Sequence, residues 1–151
     1  MANSQYAGRT IDVLALNTAD GRMFDSTSTG RIVTGMYKLA QRALIVFMTE
    51  RDTFAYDMRG FNTTIGTTFM SDLRQGYIRT EADVFSSFAA AELQARSQLQ
   101  AEEDGTEPDD ERYSRMALRR VVISNAAATL YVSLYSRADS VELIIPISTL
   151  P

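Results

Sequence analysis

The most concentrated chemistry in the sequence is a run of carboxylates, AEEDGTEPDDER, at residues 101–112. Seven acidic side chains fall between Glu102 and Glu111, interrupted only by one glycine, one threonine and one proline. Such a run has four interpretations: a calcium loop, a pair of catalytic carboxylates, a partner-binding corner, or a solvated connection between two elements. The spacing of the acids and the residues on either side decide among them.

The spacing excludes an EF-hand calcium loop. Counted from Asp104, position three is Thr106 and position twelve is Arg115, whereas an EF-hand needs a bidentate Glu at position twelve. A weak, nonspecific cation site is a minor alternative. A glycosidase pair needs one carboxyl group whose pKa is raised in an apolar pocket. Acids that stand beside glycine and proline predict exposure to water instead.

Composition narrows the chemistry further. The 151-residue chain has no cysteine and no histidine, so disulfides, thiolate zinc sites and every triad that uses histidine are excluded. No apolar run is long enough to predict a membrane span, and the first ten residues lack the apolar core of a secretory signal. Without the seven acids the chain keeps 12 acidic and 15 basic residues, a formal charge of +3. This bias is too weak to predict nucleic-acid binding.

The pattern along the chain predicts an α+β domain, with helices first and strands afterwards. Apolar residues at helical spacing indicate a helix over about 34–51 and a shorter one over about 67–75. A longer helix over about 80–103 has the best-marked start, because Thr80 and Asp83 resemble a capping box.

From Met116 onward the apolar period changes to two, which indicates strands. The segments ALRRVVIS, ATLYVSLYS and SVELIIPI have connections too short for parallel crossovers, so they predict a three-stranded antiparallel meander. In the third segment Leu143 and Ile145 share one face. Pro146 predicts that this strand lies at an edge of the sheet or ends there.

The N-terminal segment TIDVLAL, at residues 10–16, predicts a further strand ahead of the helices. We therefore divide the chain into an N-terminal arm, residues 1–33, and a main α+β domain, residues 34–151. The strand has two interpretations. It either joins the domain's own sheet or belongs to an arm that pairs with a neighbouring subunit.

Two stretches of the sequence resemble a known family. TGMYKLAQRALIVFMTERDT, followed by MRGFNTTIGTTFMSDL, is similar to the baseplate wedge family of contractile phage tails. That family is often called lysozyme-like and is related to a subunit of type VI secretion baseplates. The shared pattern is a helix with Gln41 and Arg42 at its centre, a loop with an aromatic residue and a glycine, a short helix, a longer helix and a terminal sheet. It covers about residues 34–148.

The family also carries Glu-Pro-Arg between its long helix and its sheet, a place that the acidic run occupies here. Glu107 and Pro108 keep the Glu and the Pro without the Arg, whereas Glu111 and Arg112 keep the Glu and the Arg without the Pro. We prefer Glu111 and Arg112, because Arg112 directly precedes the first strand. The resemblance implies a structural, non-enzymatic virion protein without a cofactor, a baseplate wedge subunit that initiates the tail sheath and is assembled in the host cytoplasm. Its partners would be the tail sheath protein, other wedge proteins, and the tail tube or hub, with neither nucleic acid nor membrane among them. We expect the partner-binding residues to be Gln41, Arg42, Glu111, Arg112, Arg115, Leu143 and Ile145.

The resemblance also implies how the sheath docks. An exposed strand edge offers unpaired N–H and C=O groups, so the terminal sheet would accept an extended strand of the sheath protein. Fourteen of the 15 cations are arginine, the cation favoured at protein interfaces. A peptidoglycan-cleaving muramidase is an alternative supported by the surplus of carboxylates alone. An adaptor of a related secretion-machine baseplate is another.

Overall fold

The computed structural model describes residues 12–13, 32–50, 66–76, 78–124 and 127–148. It confirms the α+β class, with helices preceding a C-terminal antiparallel sheet. In chain order the elements are β1 (Asp12–Val13), β2 (Ile32–Val33), α1 (Met36–Met48), α2 (Phe69–Arg74), α3 (Glu81–Glu102), a 3-10 turn (Asp109–Glu111), β3 (Tyr113–Ser124), β4 (Ala127–Ser136) and β5 (Ser140–Ser148). Within the described residues, no helix is long and apolar enough to cross a membrane.

The capping box predicted for the start of α3 is present. The Thr80 hydroxyl accepts a hydrogen bond from the Asp83 N–H at 3.2 Å, and Asp83 Oδ2 accepts one from the Thr80 N–H at 2.9 Å. These reciprocal bonds satisfy N–H groups that the first turn of a helix leaves open. The N–H groups of Arg79 and Thr80 hold the pKa of Asp83 below its ordinary value.

The first two helices are shorter than the apolar pattern predicts. α1 ends at Met48 because Thr49 adopts an extended conformation, with φ −75° and ψ 130°, and α2 covers only 69–74. Gly76 follows α2 with a positive φ of 75°, which suits a residue that closes a helix.

A tight backbone contact joins the segment before α2 to the end of α1. Gly66 has a positive φ of 84°, and a Cβ at this position would lie 2.3 Å from the carbonyl oxygen of Thr49. Thr67 extends the contact, because its N–H donates to the same oxygen at 2.9 Å. Only glycine fits here. The loop of the family pattern, which carries an aromatic residue and a glycine between the first two helices, lies outside the described residues except for Gly66 at its end.

The strands β3, β4 and β5 form the predicted antiparallel meander, in that order. One face of this sheet packs against the helices to form the hydrophobic core. Side chains from both layers contribute to it because the apolar stripe of each helix meets the apolar face of the strands. The largest fully buried hydrophobic residues are Tyr113, Phe47, Phe69, Leu39, Leu44, Leu99, Leu130, Leu134 and Val132.

The N-terminal strand pairs within the chain. Asp12 lies opposite Val33, and Val13 lies opposite Ile32, in an antiparallel ladder that is separate from the three-stranded sheet. Over these residues the arm therefore forms a separate two-stranded sheet within the chain. Neither interpretation of the sequence included this sheet.

Candidate functional site

The acidic run folds into a structured connection between α3 and β3, residues 103–112, which we call the junction. Its carboxylates bind N–H groups of the connection itself. Asp104 Oδ1 accepts hydrogen bonds from the hydroxyl and the N–H of Thr106, at 2.6 and 2.8 Å. These two bonds hold the pKa of Asp104 below its ordinary value. Glu107 accepts bonds from the N–H groups of Asp104 and Gly105. The exposed acids predicted here are thus part of an ordered turn.

Glu111 differs from the exposed acids of the junction, since it is only 3% exposed. Its Oε1 accepts hydrogen bonds from the Gly35 N–H at 2.8 Å and the Thr34 hydroxyl at 2.6 Å. Lys38 Nζ lies 3.7 Å from Oε2. Gly35 is the N-cap of α1 and has no side chain with which to cap it. Glu111 therefore supplies the acceptor and the negative charge that this helix N-terminus needs.

Arg42 and Glu103 form a second link between α1 and the junction. Arg42 Nη2 lies 2.7 Å from Glu103 Oε1, and the same oxygen accepts the N–H of Tyr113, the first residue of β3, at 2.6 Å. One carboxylate thus joins α1, the end of α3 and the start of β3. Sequence reasoning treated Glu103 only as a helix end, because its partners lie 61 and 10 positions away with no local signal.

Arg112 joins two parts of the junction through its side chain. Its guanidinium donates to the carbonyl oxygen of Gly105 and lies 3.7 Å from Asp109 Oδ1. The Arg112 carbonyl accepts a hydrogen bond from the N–H of Arg137 at 3.2 Å. An open polar cleft of about 300 Å³ lies beside it. The cleft is lined by Gln100, Glu103, Gly105, Arg112 and Arg137.

Three of the expected partner-binding residues are buried. Gln41, Leu143 and Ile145 are 4%, 3% and 4% exposed, so their side chains do not form an exposed contact surface, and their part in partner binding stays a prediction. Strand alternation explains the outcome for Leu143 and Ile145, because both occupy the core-facing side of β5. Arg115 is exposed on the opposite face of the sheet.

A second buried carboxylate, Glu92, was missed by sequence reasoning. Its Oε1 accepts hydrogen bonds from the Tyr113 hydroxyl at 2.9 Å and the Met116 N–H at 3.3 Å, and Arg96 binds both of its oxygens. Burial, followed by the Glu92 charge, raises the pKa of Tyr113 well above its ordinary value. The available signal was spacing: Glu92 falls four residues after Phe88 of the apolar stripe and four before Arg96.

Side chains of α3, together with that of Glu103 directly after it, cover the outer edge of β3 where that strand begins. The N–H groups of Tyr113 and Met116 donate to Glu103 and Glu92, and the Tyr113 carbonyl accepts a bond from Gln100 Nε2 at 3.4 Å. Because these backbone groups already have partners, another strand cannot pair with them. At the other side of the sheet, β5 pairs with β4 and with no other described strand.

The sheet surface that points away from the helices carries arginines stacked on tyrosines. Cζ of Arg120 lies 4.1 Å from the ring centroid of Tyr131, and Cζ of Arg115 and of Arg119 lie 4.0 and 5.8 Å from that of Tyr135. These are cation–π distances. The Arg119 guanidinium also donates to the Tyr135 hydroxyl, and this bond lowers the pKa of Tyr135 from its ordinary value. We call these five residues the arginine–tyrosine face.

Comparison with known family models, curated proteins and solved structures finds no match in any of the three. Among the described residues, no three or more acidic side chains are grouped so that they could hold a metal ion. The features from which function can be inferred are therefore the junction, the outer edge of β5 and the arginine–tyrosine face.

Proposed function

We propose that this chain is a structural subunit of a contractile tail baseplate, a wedge protein that initiates the sheath by adding an extended sheath segment to its C-terminal sheet. The observation that carries the proposal is the difference between the two edges of that sheet. Side chains of α3 and of Glu103 occupy the edge where β3 begins, whereas β5 has a strand on one side only among the described residues. An unpaired strand edge is a template for another chain's strand.

Pro146 supports the choice of β5. It lies opposite Thr129 of β4, and proline has no N–H to donate. Proline is tolerated in an edge strand when its nitrogen faces away from the ladder. Because backbone groups alternate in direction along a strand, Ile144 and Glu142 would share the outward direction of Pro146. We expect an incoming sheath segment to pair with these two residues.

The junction supports a role as a rigid platform. Glu111 fixes the start of α1, and Glu103 ties α1 to α3 and β3. A surface that templates an assembly gains affinity when its geometry is fixed before the partner arrives, because less ordering accompanies binding. In this proposal Arg42, Glu111 and Arg112 act by holding the sheet in place for its partner.

The muramidase alternative has no specific observation in its favour. Glu92 and Glu111 are the two buried carboxylates of the described residues, and each is held by a cation and by hydrogen-bond donors. A glycosidase instead keeps its general acid in an apolar pocket. An adaptor of a secretion-machine baseplate would share the platform geometry. Its gene would lie among secretion genes rather than phage tail genes.

Electron microscopy of a contractile phage that lacks this protein tests the proposal. We expect baseplates and tubes without an attached sheath, and recovery of the sheath when the wild-type chain is supplied from a plasmid. Normal sheath attachment in its absence would overturn the proposal. A peptidoglycan-release assay on the purified chain tests the enzyme alternative. Activity that is abolished by a single Glu→Gln substitution would establish it.

A further inference from the structure

We propose that the arginine–tyrosine face is a second docking surface, which binds an acidic segment of a partner protein. It is distinct from the proposed sheath contact at β5. Strand addition uses backbone groups in the plane of the sheet, whereas this face offers side chains that stand roughly perpendicular to it. The inference therefore holds whether or not the chain initiates a sheath.

The charges of this face are not neutralised within the described chain. Arg115, Arg119 and Arg120 form no salt bridge with a described carboxylate. Other cations do form them, as Arg42 does with Glu103. On the same face, the exposed carboxylate is Glu142, which lies opposite Ser133. Three guanidinium groups beside one carboxylate leave a local positive charge, which is complementary to an acidic segment.

The tyrosines hold the arginines ready for a ligand. Arg119 is anchored twice, because its Nε donates to Ser133 Oγ at 3.2 Å and its Nη2 donates to the Tyr135 hydroxyl. Arg115 and Arg120 each stack on a ring at about 4 Å. A guanidinium has five N–H donors in a planar fork that matches a carboxylate. Fixing these long side chains in the free protein reduces the entropy lost on binding.

The same contacts favour an acidic peptide over a single-stranded nucleic acid. Proteins that bind single strands stack bases on aromatic rings. Here a guanidinium already covers a face of Tyr131 and of Tyr135, at 4.1 and 4.0 Å. The formal charge of the whole chain is −4, which opposes a long polyanion, whereas a short acidic segment meets only the local positive charge.

Val122 adds a second element of specificity. It is 43% exposed and lies two residues beyond Arg120 in β3, so both side chains point to the same side of the strand. An exposed apolar residue at the end of a cationic surface fits a partner segment with an apolar residue next to its acids. We expect the acids of the partner to contact the arginines and its apolar residue to contact Val122.

Fluorescence anisotropy with a labelled hexaglutamate peptide and the purified full chain tests the inference. We expect saturable binding that weakens as salt rises, and no binding of a hexaglutamine peptide. The variant R115Q/R119Q/R120Q should bind at least about tenfold more weakly, because three charge-assisted contacts are lost. The matched control is Arg79→Gln, which removes an exposed arginine before α3 and should bind as the wild type does.

A second variant tests the inference if the triple variant fails to fold. Tyr135→Phe keeps the ring beneath Arg115 but removes the hydroxyl that anchors Arg119, and it should weaken binding by about two- to threefold. Circular dichroism checks that each variant folds. Unchanged hexaglutamate affinity in the folded triple variant would overturn the inference. So would tighter binding of a single-stranded oligonucleotide of equal charge, or a salt-sensitive dimer of the chain alone that the triple variant does not form.

Discussion

The carboxylate of Glu111 caps a helix that begins far from it in the chain, accepting the N–H of Gly35, 76 positions earlier, at 2.8 Å. Lys38, in the first turn of the same helix, lies 3.7 Å from the other carboxylate oxygen. The resemblance to the baseplate family led us to expect that Glu111 binds a partner protein. Its contacts in the described chain are instead internal, so its substitution should act first on stability.

Glu111→Gln should lower the free energy of unfolding by about 1–2 kcal/mol, because it keeps the shape of the side chain but removes the charge from the helix N-terminus and from Lys38. Urea denaturation followed by circular dichroism measures the change. The matched control is Glu102→Gln at the exposed end of α3, for which we expect less than about 0.5 kcal/mol. Equal effects of the two substitutions would contradict the capping role.

Gly66→Ala should destabilise the domain by more than about 3 kcal/mol, since it combines an unfavourable positive φ with a steric clash. The added Cβ would lie 2.3 Å from the carbonyl oxygen of Thr49. Gly76 provides the control, because its φ is +75° but nothing lies within 4 Å of its added Cβ. Gly76→Ala should therefore cost only about 1 kcal/mol. Thermal melting of both variants distinguishes the clash from the backbone strain.

Tyr113 should make the domain less stable at high pH. Burial raises the pKa of its hydroxyl, so the folded protein keeps this proton at a pH where an unfolded tyrosine, with a pKa of about 10, loses it. The contribution is complete below that value and is lost as pH rises above it, by up to about 1.4 kcal/mol per pH unit. Tyr113→Phe should be less stable at pH 7 by about 1 kcal/mol. Its unfolding free energy should also fall less steeply above pH 10, and an unchanged slope would contradict this.

Under the proposed function, Ile144→Pro should abolish sheath attachment at β5 while leaving the fold intact, because it removes an N–H that we expect to point outward. Ile144→Ala is the matched control, since it shortens the side chain but keeps the backbone donor. Electron microscopy of tails carrying each variant measures attachment, and circular dichroism checks the fold. Attachment by the proline variant would exclude Ile144 as a pairing position. Unfolding of that variant would show that its N–H faces β4.

Local patterns were sufficient to predict the three helices and the three strands of the C-terminal sheet, but not β2 or the 3-10 turn. The change of apolar period from helical to two, the short links between strands and the Thr80–Asp83 capping box are all readable within a few residues. The same patterns located the antiparallel meander and indicated the α+β fold class. The end of α1 was predicted three residues too late, at Arg51 rather than Met48, because polar residues at a helix end carry no periodic signal.

The roles of individual side chains depended on distant partners and could not be predicted. Glu103 and Glu111 look alike within one acidic run, yet each binds a different part of α1 across the fold. Leu143 shows another limit of local patterns. Alternation placed Leu143 and Ile145 on one face of the strand, but it did not indicate which face is buried. The structure shows that this face lies on the core, because Leu143 is only 3% exposed.

The distance between Glu111 and the helix it caps has a consequence for the order of folding. The contacts among α3, β3, β4 and β5 join neighbours in the sequence, and short loops close with little loss of entropy. α1 receives its N-terminal cap only when residue 111 is in place. We therefore expect the C-terminal part to form first and α1, although synthesised earlier, to dock last. A chain interrupted before Glu111 would lack both the cap of α1 and the three-stranded sheet that completes the core, so unfinished chains of this protein should aggregate or be degraded.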